Sequence, residues 1–217
     1  MRVTGVLIAT SVFLLAPGLL TGCQEVDTPV AEELEELRVE GATSDTLLLP
    51  RAELQMARET AAALGQDLAG LVFTTMEEQG VVAAVQVCSE VAQERTAVHG
   101  NDEVSVRRVS DRLRNPRNAP DDAERRELER MHALEADGRL PEEIVRIVRA
   151  GGDRQLHLLR PIRIQPGCLA CHGEPEAIAP EVHRILAELY PDDRAIGYSA
   201  GQLRGAISVR VPFEQTD

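Results

Sequence analysis

Apolar residues recur at intervals of three and four along the segment that follows Pro50. The seam consists of Leu54, Ala57, Ala61, Leu64, Leu68 and Leu71. This spacing puts the apolar side chains on one helix face, and proline suits a first helical turn, so the pattern predicts a long helix that continues to about Glu78 and stops at Gly80. The face either packs on its own domain or forms a homodimer through residues 51–79.

A second helix is predicted from Val81 to about Arg95. Its apolar stripe includes Val85 and Ala92, and Cys88 falls on the same stripe, so the cysteine is expected to point inward. A cysteine in such a position is more often a small buried hydrophobe than a ligand. Spacing alone leaves both roles open.

The rest of the chain alternates between strand-like and helix-like patterns. Strands are predicted at 104–109 and 205–211, helices at 121–138 and 177–190, and a turn-rich loop at 111–120. Residues 144–149 and 155–160 flank a Gly-Gly-Asp sequence and predict a β-hairpin, with a Pro141-capped helix as the competing interpretation of the first limb.

The first residues are typical of an exported lipoprotein. Residues 1–22 have one positive charge and an apolar run, as a secretory signal does, and Leu20-Thr21-Gly22-Cys23 resembles a bacterial lipobox. Cys23 is therefore the expected lipidation site and the first residue of the mature chain, with an ordinary signal peptide as the alternative. Residues 23–45 are acidic and predict a solvated tether, followed by a domain over 46–217. The expected location is periplasmic or extracytoplasmic, anchored by lipid to a bacterial membrane.

Charge narrows the choice of partners. All 23 basic residues are arginine, and the formal net charge is −13. This balance argues against nucleic acid as a partner. An acidic surface either favours basic partners or simply keeps the protein soluble.

One short motif carries specific chemistry. Cys168-Leu169-Ala170-Cys171-His172 is a Cys-x-x-Cys-His sequence, by which two thiols attach one c-type haem covalently and the histidine becomes an iron ligand. A thioredoxin-like dithiol and half of a zinc site are the alternatives. A four-cysteine zinc site needs a second Cys-x-x-Cys, which the sequence lacks, and flanking Pro-Gly and Gly-Glu-Pro predict a loop rather than a strand-to-helix junction.

Several further segments, before and after this motif in the chain, form a recognisable pattern with it. They are residues 107–110, the Leu-Arg-Asn-Pro-Arg-Asn-Ala-Pro-Asp string at 113–121, Arg160-Pro161-Ile162, Tyr190-Pro191-Asp192, Gly197-Tyr198 and residues 204–209. In this order they resemble the PAS-like single-haem c-type domain family of exported bacterial and cyanobacterial proteins and of some sensor-kinase input regions. The resemblance implies an α+β fold with a central antiparallel sheet flanked by helices, a long N-terminal helix, haem at one side and no established enzymatic reaction.

The resemblance also gives Cys88 a role. In this family a cysteine on the helix before the first strand ligates iron opposite the motif histidine, and Cys88 stands in that place. Such a thiolate lowers the reduction potential. The rivals for this position are His157, His99, His132, His183, Met56, Met76 and Met131. Arg112 and Arg114 are candidate partners of the haem propionates, because guanidinium groups bind carboxylates bidentately.

Two functions follow as hypotheses. The first is a membrane-tethered, low-potential carrier of single electrons that exchanges them with a redox partner protein. The second is a redox or gas sensor that signals through a separate protein. Catalysis at the iron requires an open ligand position and is not expected when His172 and Cys88 both bind.

Overall fold

A computed structural model describes residues 50–150 and 153–214 of the chain. The predicted signal peptide, Cys23 and the acidic tether lie outside these residues. The helices are α1 (Arg51–Gln79), α2 (Val81–Glu90), α3 (Ala92–Val98), α4 (Asp122–Ala136), α5 (Leu169–His172) and α6 (Pro180–Leu189), and the strands are β1 (Ser105–Val109), β2 (Ile144–Ala150), β3 (Asp153–Arg163) and β4 (Leu203–Pro212). Among the described residues, no helix is long and apolar enough to cross a membrane.

The four strands form one antiparallel sheet in the order β1-β4-β3-β2. The predicted hairpin is β2 and β3, paired from Ile144 opposite Leu159 to Ala150 opposite Asp153. The first limb is therefore a strand, and the competing Pro141-capped helix is wrong. The last strand, β4, lies between the first and third, which confirms an α+β fold built on a central antiparallel sheet.

Helices cover both faces of the sheet. Side chains alternate along a strand, so Leu156 and Leu158 on β3 face α1, whereas Leu159 faces the opposite side and packs with Leu128 and other residues near α4. All three leucines are fully buried. The central strands are therefore covered on both sides, and the first helix supplies one of the two layers.

The predicted seam of α1 packs within its own chain. Leu54, Ala57, Ala61, Leu64 and Leu68 are buried in the same cluster as Leu156 and Ile207 of the sheet. The homodimer through residues 51–79 stays a prediction, and it would have to use another face of the helix.

The second predicted helix is divided in two at Val91. Its halves serve different neighbours: Val85 of α2 packs with Val182 and Leu186 of α6, whereas Ala92 of α3 packs with the α1 and sheet cluster. Val91 itself keeps a helical backbone conformation, and its N–H and carbonyl groups form helical hydrogen bonds to Val87 and Arg95. The helical conformation predicted as far as Arg95 is therefore confirmed. The periodicity predicts the helical conformation correctly, but it cannot reveal two separate packing partners.

A buried polar network joins α4 to the sheet. Asp121 and Glu124 form a reciprocal capping box at the start of α4. The Ser208 hydroxyl donates to Glu124 Oε1 at 2.8 Å, and His157 Nε2 lies 2.9 Å from the Ser208 oxygen. Since the hydroxyl hydrogen is already used, the His157 Nε2–H group donates to Ser208. His157 Nδ1 has no partner among the described residues, which makes the neutral imidazole the form that the fold accepts.

The charges around His157 come from three elements. Arg210 on β4 binds Asp121 at 2.5 Å and lies 3.7 Å from Glu124, and Arg146 on β2 binds Glu127 of α4 at 3.0 Å. Burial, reinforced by Arg210 and Arg146 and opposed by Asp121, lowers the pKa of His157 from 6.5 to about 4.

Acid is expected to destabilise the fold through His157. The unfolded chain binds a proton here near pH 6.5 and the folded chain only near pH 4, so stability contributed by the neutral ring is lost as the pH falls between these values. The full loss is about 3 kcal/mol. Urea unfolding across this range should show a steeper decline for the wild type than for His157→Gln, which keeps a donor and cannot titrate. Parallel declines would contradict the assignment.

Candidate haem site

A cavity of about 580 Å³ lies between α1, α2, the sheet and the loop that carries the Cys-x-x-Cys-His motif. Cys88 of α2 lines it together with Cys168, Cys171 and His172. The structure therefore brings all four sulfur and imidazole groups singled out in the sequence to one cavity. Cys88, Cys168 and Cys171 are free thiols.

The motif itself forms two short helical turns rather than an open loop. A 3-10 turn over Pro166–Cys168 leads into α5, which is a single turn over Leu169–His172. Cys168 packs beside Ile164, Ala195 and Tyr198, whereas Cys171 packs with the cluster formed by α2 and α6. The two thiols thus belong to different apolar clusters around the cavity.

Glycines on either side of the motif allow close approach. A Cβ atom added at Gly173 would lie 2.6 Å from the Leu169 carbonyl oxygen, and one added at Gly167 would lie 2.7 Å from the ring of Phe73 on α1. Both distances are too short for a normal contact. The motif is therefore closed tightly after His172, and its first turn rests directly against α1.

A later segment of the chain clamps the motif. The backbone N–H groups of Gly197 and Tyr198 donate to the carbonyls of Gly173 and His172, at 2.7 and 2.9 Å. The Ala195 carbonyl lies 2.6 Å from His172 Nδ1. Because a carbonyl can only accept, His172 carries its proton on Nδ1, which leaves Nε2 as the free lone pair that a metal ligand requires.

Electrostatics favour the neutral form of His172. Burial lowers its pKa well below the ordinary value, and Arg114 and Arg204 add to this effect. Tyr198 stands edge-on to the imidazole, with the ring centres 6.3 Å apart. The histidine is thus held in the tautomer, charge state and orientation that suit iron ligation.

At Cys88, burial and the nearby positive charges act on the pKa in opposite directions. Burial raises the pKa of its thiol, and the nearby cations Arg108 and Arg114 counter that rise. Burial likewise raises the pKa of Cys171 to about 11. These thiols are protonated in the absence of a bound electrophile or metal.

The two arginines predicted to bind propionates already have protein partners. Arg114 Nε donates to Asp193 at 3.0 Å and its Nη2 to the Cys171 carbonyl at 2.6 Å, in an ion pair whose side chains are 9% and 11% exposed. Arg112 donates to the carbonyls of Arg194 and Ile196, and its guanidinium lies 4.0 Å from the centre of the Tyr198 ring. Arg114 lines the cavity, but Arg112 is not among its lining residues.

Most rivals of Cys88 lie elsewhere. His157 and Met131 are buried on the α4 side of the sheet, and His99 binds Asp67. His132 Nε2 lies 3.1 Å from an Asp111 oxygen. His183 Nε2 lies 2.6 Å from the Pro175 carbonyl, and Met56 packs with the α1 cluster. Met76 of α1 does line the cavity, so it is the rival that shares the site with Cys88.

Sequence reasoning missed several residues of this cavity. They include Phe73 of α1, Arg108 of β1, Arg160 of β3 and Arg204 of β4. Arg108 carried a usable signal, because it continues the alternation of Val104 and Val106, both of which pack on the α1 side. A charged residue that alternates in phase with inward-facing valines indicates a buried polar interaction inside the domain.

The geometry defines a class of protein: an α+β domain whose sheet, long helix and Cys-x-x-Cys-His turn enclose one cavity. The chain belongs to the Tll0287-like family, whose model matches residues 23–212. It is similar to the crystal structure of the cyanobacterial haem protein Tll0287, with 28% identity and a TM-score of 0.56 over 76% of this chain and 98% of that chain. No curated protein matches the chain. The resemblance inferred from the sequence is confirmed.

Arg114 is expected to act mainly as the anchor of the motif. Arg114→Gln leaves Asp193 without its cation, so it should lower the free energy of unfolding by about 2–4 kcal/mol, somewhat less than for a fully buried pair. Urea unfolding of the single variants, Asp193→Asn and the double variant gives the coupling between them.

The matched control is Arg139→Gln, which removes an ion pair of 2.7 Å with Asp137 on the surface. Its expected cost is below about 1 kcal/mol. Independent, additive effects of Arg114→Gln and Asp193→Asn would contradict the anchoring role.

Proposed function

We propose that the cavity binds one haem covalently, through thioether bonds to Cys168 and Cys171, with His172 and Cys88 as axial ligands. The observation that carries this proposal is the convergence of those four side chains on one cavity. The similarity to a cyanobacterial haem protein supports a haem-binding role.

The residues around the cavity fit such a group. Its volume of about 580 Å³ lies in the range of small-molecule and cofactor sites, about 300–1,000 Å³. Its walls combine apolar residues of α1, such as Leu68, Val72 and Phe73, with arginines from the strands. Apolar walls suit a porphyrin face, and guanidinium groups suit carboxylate substituents. Among the described residues, no three metal-binding side chains are grouped closely enough to hold an ion by themselves.

The chemistry supplied by a bound haem would be one-electron oxidation and reduction of iron. The protein contributes ligands and surroundings. His172 presents Nε2 because Ala195 holds Nδ1, and Cys88 contributes an electron-rich sulfur that favours ferric iron and a low potential. With both axial positions filled by protein, the site suits electron transfer and not catalysis.

The location follows from the N-terminal residues. We infer a lipid anchor at Cys23, an acidic tether over 23–45, and a periplasmic or other extracytoplasmic position at a bacterial membrane. The redox partner is a protein with a basic docking surface, since this chain carries a formal charge of −13.

A second candidate function is sensing, and one observation favours it. Helix α1 forms a wall of the cavity, and its Phe73 ring lies against Gly167 at the start of the motif. A change at the iron would therefore act on a helix 29 residues long. Such a helix can transmit the state of the site to a partner protein.

Covalent attachment is the first expected outcome. Holo-protein produced with a cytochrome c maturation system should keep its haem after denaturation and acid–organic extraction, with a mass increase of one haem. Cys168→Ala/Cys171→Ala should lose the haem under the same extraction, because only axial bonds remain. Cys88→Ala is the matched control, since it removes a thiol of the same cavity and should retain the haem. Complete extraction of haem from the wild type would refute the c-type assignment.

The axial role of Cys88 has its own test. Cys88→Ser is expected to change the ferric absorption spectrum and raise the midpoint potential, because the thiolate donor is lost. Met76→Leu, which alters the rival in the same cavity, should leave both unchanged. If Met76→Leu changes the spectrum and Cys88→Ser does not, the ligand assignment is wrong.

Hydrogen exchange separates electron transfer from sensing. A sensor should show different amide exchange in α1 between ferric and ferrous protein, whereas α6 serves as an internal reference. Rapid electron exchange with a soluble cytochrome and equal α1 exchange in the two states would favour the carrier.

A further inference from the structure

Arg108 is set apart from the other arginines of the cavity. It lies on β1 opposite Ile207 of β4 and lines the cavity with Cys88. Its Nε atom is buried and has no hydrogen-bond partner among the described residues. A buried donor without a partner costs roughly 1–3 kcal/mol, more in a charged group, so the arrangement calls for an acceptor in the cavity.

Its neighbours already have acceptors. Arg114 binds Asp193, Arg204 donates to the Ser110 hydroxyl at 2.5 Å, and Arg160 lies 3.7 Å from Glu143. Each of these guanidinium groups therefore already has a polar partner inside the protein. Arg108 therefore has an unused donor and a positive charge available to a group that binds in the cavity.

The location of Arg108 in the cavity indicates which group accepts its hydrogen bond. Arg108 and Cys88 both line the cavity, and the charge of Arg108 opposes the rise that burial causes in the pKa of the Cys88 thiol. Tyr190 is the other side chain whose ionised form would stabilise the charge of Arg108. Tyr190 is an ordinary phenol at neutral pH, because burial raises its pKa further. An iron-bound thiolate at Cys88 would be the anion that this guanidinium meets.

We propose that Arg108 is a positioning residue that donates to the sulfur of Cys88 when that sulfur binds iron, and so sets the balance between the ferric and ferrous states. This inference rests on the proposed function. A donor to the sulfur withdraws electron density from the metal, and its positive charge offsets the thiolate, so both effects favour the ferrous state. Arg108 would counter part of the lowering of potential that the thiolate causes.

The test compares holo-protein variants by spectroelectrochemical titration and by the iron–sulfur stretching band in resonance Raman spectra. Arg108→Gln should shift the ferric-to-ferrous ratio at a fixed potential about tenfold toward ferric, the effect of one charged hydrogen bond. That shift equals about 59 mV for a one-electron couple. The stretching frequency should rise, because the sulfur donates more strongly to iron.

The matched control is Arg160→Gln, which removes the same charge from the same cavity. Because Arg160 forms an ion pair with Glu143, this change should move the potential much less. Arg108→Lys keeps the charge but loses the planar fork of the guanidinium group, so the iron–sulfur stretching frequency of this variant should also rise. Arg108→Lys replaces Arg108→Gln in the test if Arg108→Gln does not fold. An unchanged frequency in both folded variants, or in Arg108→Lys alone if only that variant folds, would overturn the proposal.

A double-mutant cycle identifies the acceptor. In a Cys88→Ser background, Arg108→Gln should shift the potential far less than it does in the wild type. An equal shift in both backgrounds would overturn the proposal and assign Arg108 to another anion, such as a carboxylate of the bound group. Failure of the proposed function gives a different result: the wild type would lack covalent haem, or Cys88→Ser alone would leave the spectrum unchanged.

Discussion

The hydrogen bond from His172 Nδ1 to the Ala195 carbonyl is the contact on which the proposed site depends. It fixes the tautomer of the histidine and aims its other nitrogen away from the protein backbone. The acceptor lies 23 residues further along the chain, so the motif cannot set this geometry alone. Arg114 secures the arrangement by binding Asp193 on one side and the Cys171 carbonyl on the other.

The charge of the site contrasts with that of the whole chain. The protein is acidic, yet the strands bring Arg108, Arg160 and Arg204 to the cavity wall. Arg114 and Arg204 help to keep His172 neutral, and the cations Arg108 and Arg114 partly offset the burial that raises the pKa of the Cys88 thiol. Under the proposed function, the acidic charge of the chain would act on a partner protein, whereas the arginines of the cavity would act on the bound group.

Much of this architecture could be predicted from the sequence, and the exceptions have physical causes. The α1 seam, the β2–β3 hairpin and the Cys-x-x-Cys-His motif are local patterns, and each appears where the sequence predicts it. The partners of Arg112 and Arg114 could not be predicted, because they are backbone carbonyls and a carboxylate about 80 residues away. The different packing partners of α2 and α3 could not be predicted either, because periodicity within one helix does not encode which element covers each part.

The packing of α1 restricts how the site could signal. Five buried residues from Leu54 to Leu68 tie its first part to the sheet, whereas only Thr75 is buried in the part that follows. Movement of the first part would expose leucines of the main cluster, at about 1.5–3 kcal/mol for each side chain. The later part borders the cavity through Val72, Phe73 and Met76, and its movement would expose less buried apolar surface. A redox-dependent movement would therefore begin in the C-terminal third of α1, whereas a pure electron carrier needs no movement there.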